Sequence, residues 1–299
     1  MSEAIATITN CIPDLTQVEL DFLNSNLATY KVSQYLEANK NDDGTCNVAA
    51  SDFAKEAIQV LKDGGEVDFD DQIINKLKDK AKCIYNKLVS SSTSFKNAIK
   101  KFDGDFPVSH IKFEIDEAMS SNTRKAFTRA PEDYVIDIVL NGNPLKDASY
   151  QKRPNLLVAK TIIHEVIHAE MFRKLLSLAN DNGSIDVDLL QFTLYQGDYL
   201  GMLDYYYRYG NNINSTWQHQ QMAAHYRETI GRVLQEFDTG KVVDDNSQPD
   251  QLYLDLAWEG LNHNNLVAWK DALTQEEKDR INQVINNYIS QYPNQNCTE

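Results

Sequence analysis

Residues 161 to 170 read Thr161-Ile162-Ile163-His164-Glu165-Val166-Ile167-His168-Ala169-Glu170. The reading of this stretch decides the rest, because two histidines stand four positions apart with a glutamate directly after the first. On an α-helix a four-residue step advances about 6 Å and returns nearly to the same face, so both imidazoles reach a common point. Nitrogen ligands about 2.0 to 2.1 Å from a shared ion suit Zn2+, and Glu165 is then placed to handle a proton beside it.

The flanks supply the helix that this geometry needs. Pro154 opens it, since its missing N–H would have no intrahelical partner in a first turn. No Pro or Gly interrupts the chain from Asn155 until Gly183. Leu156, Ala159, Ile163, Ile167, Met171 and Leu175 recur at steps of three and four, with Val166, Phe172 and Leu176 widening the stripe. The spacing therefore predicts a largely buried helix carrying three polar side chains. Unpartnered burial of such groups costs several kcal/mol, roughly. One metal ion satisfies both histidines at once; the alternative is a pair of core histidines bonded to carbonyls or carboxylates, with Glu165 paired to an arginine.

A catalytic zinc takes three protein ligands and leaves one position open. The histidines outside the motif are His110, His219, His225 and His263. His219 is the best third ligand. Trp217 to Phe237 reads as a helix on which Met222, Ala223, Tyr226 and Ile230 continue the face of His219, while His225 points elsewhere. Tyr226, nearly two turns beyond His219, is a candidate hydrogen-bond donor to a developing oxyanion. A carboxylate such as Glu228 or Glu259 remains open as the third ligand, and Glu170 and Glu228 are candidates to orient the imidazoles.

Upstream of the motif, Ile111 to Ile115 and Tyr134 to Leu140 alternate as strands. Val135 to Leu140 is either a sheet edge, onto which an extended peptide adds as a further strand, or an interior strand without substrate contact. The first hundred residues read as helical. Thr16 and Glu19 form a capping box opening an amphipathic stretch to about Leu36, broken at Asn41-Asp42-Asp43-Gly44. Further helices are expected over Ser51 to Leu61 and Asp71 to Val89, and a last one after the capping box Thr274 to Glu277. The fold class is α+β, mainly helical, with a small sheet beside the metal helix. A helical N-terminal region covers 1–69 and the catalytic part 70–299.

The 299 residues carry 44 acidic against 29 basic side chains, a formal net charge of −15. Phosphates repel such a chain, which argues against nucleic acid and anionic membrane surfaces. No apolar run approaches the roughly 20 residues of a membrane span, so the chain reads as soluble. Cys11, Cys46, Cys83 and Cys297 are too few and too dispersed for a cysteine zinc ribbon. Cys11 with Cys46 is the first disulfide to expect, since both flank the first helical segment.

Thr161 to Met171 resembles the active-site helix of SprT-like zincin metallopeptidases. Together with Lys82 to Leu88, Tyr134 to Leu140, His219-x-x-Met222-Ala223-x-x-Tyr226 and Leu256 to Leu261, it is similar to zincin-type domains at the C-terminal ends of exported or toxin-like proteins of Bacteroidetes. The resemblance covers about residues 70 to 299. It implies a peptide or protein substrate, zinc held by His164, His168 and His219, Glu165 as catalytic base, and export as part of a longer protein, including an effector role. The chain departs from metzincins, which carry a Gly three residues after the second histidine. A non-catalytic module in which zinc only clamps two helices is the competing reading, although closed structural sites favour four ligands and cysteine.

Overall fold

Strands His110–Asp116 and Val135–Asn141 run parallel at the centre of a five-stranded mixed sheet. The computed structural model describes residues 1–69, 72–102, 110–131, 134–175, 222–244, 246–264 and 266–297. In chain order the strands are β1 (Glu66–Asp68), β2 (Ile73–Asn75), β3 (His110–Asp116), β4 (Ala126–Thr128) and β5 (Val135–Asn141), arranged β1-β2-β3-β5-β4. The two outer strands pair antiparallel with their neighbours. Val135 to Leu140 is therefore an interior strand, hydrogen-bonded on both sides, and the edge belongs to β4. Three residues are too few for alternation to announce a strand, so β4 left no mark in the sequence pattern.

Among the described residues eleven α-helices surround this sheet: α1 (Ser2–Cys11), α2 (Gln17–Ser25), α3 (Ala28–Ala38), α4 (Val48–Lys62), α5 (Asp79–Ser91), α6 (Thr93–Ile99), α7 (Asn155–Leu175), α8 (Arg227–Thr239), α9 (Gln251–Leu256), α10 (Val267–Lys270) and α11 (Gln275–Gln291). The class is α+β, mainly helical. Both capping boxes form, Thr16 with Glu19 and Thr274 with Glu277. The expected single stretch from Thr16 to Leu36 is two helices. Asn26 divides them, its side chain accepting the Ala28 N–H at 2.8 Å in an Asx turn. The expected helix from Asp71 splits as well, because Ile73 and Ile74 enter β2 and the helix begins only at Asp79. Two adjacent β-branched residues bury both faces of a strand, and that packing overrides the helical spacing.

Ile73 and Ile74 also mark where two cores meet. Ile73 faces the larger core of α5 to α11, while Ile74 faces a smaller one built by Leu23, Val32, Leu36, Phe53 and Ile58 from α2 to α4. The boundary drawn at 69/70 falls inside the β1–β2 hairpin, so the N-terminal helices share the sheet. His110 on β3 closes the seam, donating from Nε2 to the Ala49 carbonyl at 3.1 Å with its ring 4.6 Å from that of Phe53.

Two disulfides brace the periphery. Cys11–Cys46, the expected pair, ties the end of α1 to the approach of α4. Cys83–Cys297 fastens the C-terminal segment to α5. That segment then serves α7: Gln295 accepts the Asn155 N–H at 3.1 Å, and the Asn296 carbonyl accepts from the Asn155 amide at 2.9 Å. Helix α7 lies at the centre, against β4, β5, α5, α6 and α8, and every residue from Leu156 to Glu170 is buried. A helix covered on all sides is apolar all round except where chemistry demands otherwise. No helix among the described residues is long and apolar enough to cross a membrane.

Candidate metal centre

The buried polar side chains of α7 run from Lys160 to Glu170, and three of them share a point. His164, Glu165 and His168 are all buried, and a ligand atom from each lies within 4.8 Å of the others. The two Nε2 atoms stand 3.2 Å apart. Two imidazoles on one tetrahedral ion, with bonds near 2.05 Å, hold their nitrogens about 3.3 Å apart. The donor pair thus fits a shared ion such as zinc, and the nitrogen chemistry suits zinc, copper, iron or nickel better than magnesium or calcium. With Nε2 turned to an ion, the other ring nitrogen of His164, Nδ1, faces the Lys160 amine at 3.1 Å.

Glu165 is held from the sheet edge. Thr128 of β4 donates its hydroxyl to the Glu165 carboxylate at 2.7 Å. Burial pushes the Glu165 carboxyl up to about 7, while the Thr128 hydrogen bond and the Lys160 and Arg124 charges pull the other way. Its carboxyl is therefore poised near neutrality, where a group both takes and returns protons efficiently. A divalent cation at the histidines lowers that value again.

Behind the histidines lies an ion-pair cluster around Glu259, a residue the sequence offered only as an alternative third ligand. Glu259, in the turn after α9, is buried, and its carboxylate forms ion pairs with Lys125, with Arg153 at 3.2 Å and with Lys160 at 3.6 Å. Lys160 also donates to the Glu259 backbone carbonyl. Burial alone would raise the Glu259 pKa, but the surrounding Arg153, Lys160 and Lys125 charges hold it well below the usual carboxylate range. Burial likewise pushes the Lys160 amine down to about 8 against the pull of Glu259. One sequence signal was available: Lys160 precedes His164 by four residues, one helical turn, on the metal-facing side. Glu259, Arg153 and Lys125 come from three other segments, and no local pattern brings them together.

The other expected residues fall as follows. His219 lies outside the described residues. Tyr226 ends a single π turn (Met222–Tyr226) ahead of α8, where it packs half-buried against the larger core. It does not line the cavity at His164 and His168, as far as the described residues go. Glu228 pairs with Arg232 at 2.7 Å and is half-exposed, and Glu170 pairs with Arg173 at 2.9 Å. Glu259 does reach the cavity, as the partner of three cations.

That cavity, of about 400 Å³, is bounded by β4 and the residues before it, by the His164 face of α7, and by Glu259 and Gly260. Gly260 has φ +82, a left-handed conformation that glycine adopts freely. The arrangement can hold a cation, move a proton through Glu165, and admit a small or extended ligand along β4. No family model, curated protein or solved structure matches the chain.

Proposed function

We propose that the chain is a zinc-dependent metallopeptidase of the zincin type, hydrolysing a peptide bond with Glu165 as general base. The observation that carries the reading is the pair of Nε2 atoms 3.2 Å apart on a buried helix, with the Glu165 carboxyl beside them and a cavity in front. His164, His168 and His219 are the proposed ligands. Zinc, when bound, supplies Lewis acidity toward a carbonyl oxygen and a water.

The chain's own residues do the rest. Glu165 receives a proton from the attacking water and returns it to the leaving amine. Thr128 fixes the carboxylate that performs both transfers. The β4 edge presents backbone donors and acceptors to an extended peptide, which lays its scissile amide beside α7. A zinc clamp without catalysis has no use for a glutamate buried at a cavity wall, so the catalytic reading is preferred.

Metal analysis of the purified protein is expected to find about one zinc per chain, and the His164→Ala, His168→Ala double variant to lose it. Glu165→Gln is expected to keep zinc and fold while casein or peptide hydrolysis falls by roughly 10² to 10⁴. Unchanged zinc in the double variant removes the metal site. Full turnover in Glu165→Gln removes the base.

A further inference from the structure

The chain carries a formal net charge of −15, yet the cavity at His164 and Glu165 is locally basic. Among the described residues Arg124, Lys125 and Lys160 line it, and Arg153 stands directly behind, against two carboxylates, Glu165 and Glu259. Glu259 balances one of the three cations that contact it. Arg153 Nε is buried and makes no hydrogen bond among the described residues. Arg124 is exposed and Lys125 partly so, and both immediately precede β4, the strand along which a substrate would lie.

A second feature keeps this charge accessible. A side chain at position 260 would sit 3.5 Å from the Lys160 amine and 3.9 Å from the Lys125 amine. Glycine there leaves the partly exposed Lys125 ammonium uncovered on that side, while Lys160 stays buried behind it. The overall acidity of the chain acts against an anionic ligand only at a distance, and salt screens it beyond about 8 to 10 Å. Within contact range the local cations decide.

We propose that this cavity selects substrates bearing a carboxylate next to the scissile amide, with Lys125 and Arg124 as the residues that receive it. The inference rests on the peptidase reading for the word scissile, and on the cavity alone for the carboxylate. Two sources share that chemistry, a free peptide C-terminus and an aspartate or glutamate side chain. The deep pair, Lys160 and Arg153, positions Glu259 and maintains the positive field, while the shallow pair makes the contact.

Binding by the metal-stripped protein with Glu165 in place separates this inference from turnover. Calorimetric titration compares N-acetylalanine with its amide, and N-acetylglutamate amide with N-acetylglutamine amide. Tighter binding of the charged member by about tenfold or more is expected in at least one pair, as for a charge-assisted hydrogen bond. Preference in the first pair identifies a C-terminal carboxylate, and preference in the second an acidic side chain. The gap should close in Lys125→Gln or Arg124→Gln, with thermal melts verifying that both variants fold. Equal binding within both pairs, absent binding included, overturns the proposal, as does a gap that survives in both variants. Charged-probe preference without hydrolysis of any peptide would leave the cavity as described and count against the peptidase reading instead.

Discussion

Thr128 has one hydroxyl proton and two oxygens of Glu165 within reach, the carboxylate at 2.7 Å and the backbone carbonyl at 3.1 Å. The shorter, charge-assisted bond prevails and favours the ionised carboxyl. Thr128→Val keeps the shape and deletes the donor, so the Glu165 pKa rises further. The acid limb of the pH–rate profile is then expected to move to higher pH, with the plateau less affected. An unmoved limb would show that Thr128 does not act on the base. The third ligand is tested by contrast: chelator titration should show His219→Ala losing zinc affinity by several kcal/mol, roughly, and His225→Ala losing little. Zinc lost from His225→Ala alone would mean that the other histidine is the ligand. At this scale the sequence was legible where chemistry is local. His164, Glu165 and His168 declare themselves by spacing along one helix. Thr128, Lys125 and Arg153 do not, because each acquires its role only on packing.

Helix α7 begins where the C-terminal segment returns to it, so its start depends on residues 140 positions away. The first N–H groups of a helix have no intrahelical acceptors, and Gln295 supplies one for Asn155. Gln295→Ala is expected to lower stability by about 1 kcal/mol, read as a shift in the urea midpoint at unchanged m-value. A midpoint that stays in place would mean water replaces the glutamine without loss. The elements most readable in advance were those with their own punctuation: the capping boxes at Thr16 and Thr274 and the unbroken apolar helix after Pro154. Ile73 and Ile74 misled because helical spacing and strand burial are indistinguishable over two residues, and only the partner strand β3 decides between them. Strand β4 was invisible for the same reason, being defined by its pairing with β5.

Across the whole molecule, His110 couples the two cores to pH. Burial pushes its imidazole down to about 4, outweighing the Ala49 hydrogen bond, whereas an unfolded histidine titrates near 6.5. As pH falls through about 6.5 the unfolded chain takes a proton that the native state refuses until about 4. Stability from this residue is therefore intact above that window and lost within it, by up to about 3 kcal/mol. His110→Gln should flatten the fall in urea midpoint between pH 7 and pH 4, and equal slopes for the two proteins would exonerate His110. The Cys83–Cys297 bridge spans 214 positions and has another effect at this scale. Both α7 and the segment bearing His219 lie inside the covalent ring it closes. A single break in the backbone anywhere within that ring yields two pieces that remain one molecule until a reductant is added. Were the chain cut between His168 and His219, the product would migrate as an intact species without thiol and as two fragments with it, the halves of its proposed metal site still tethered together.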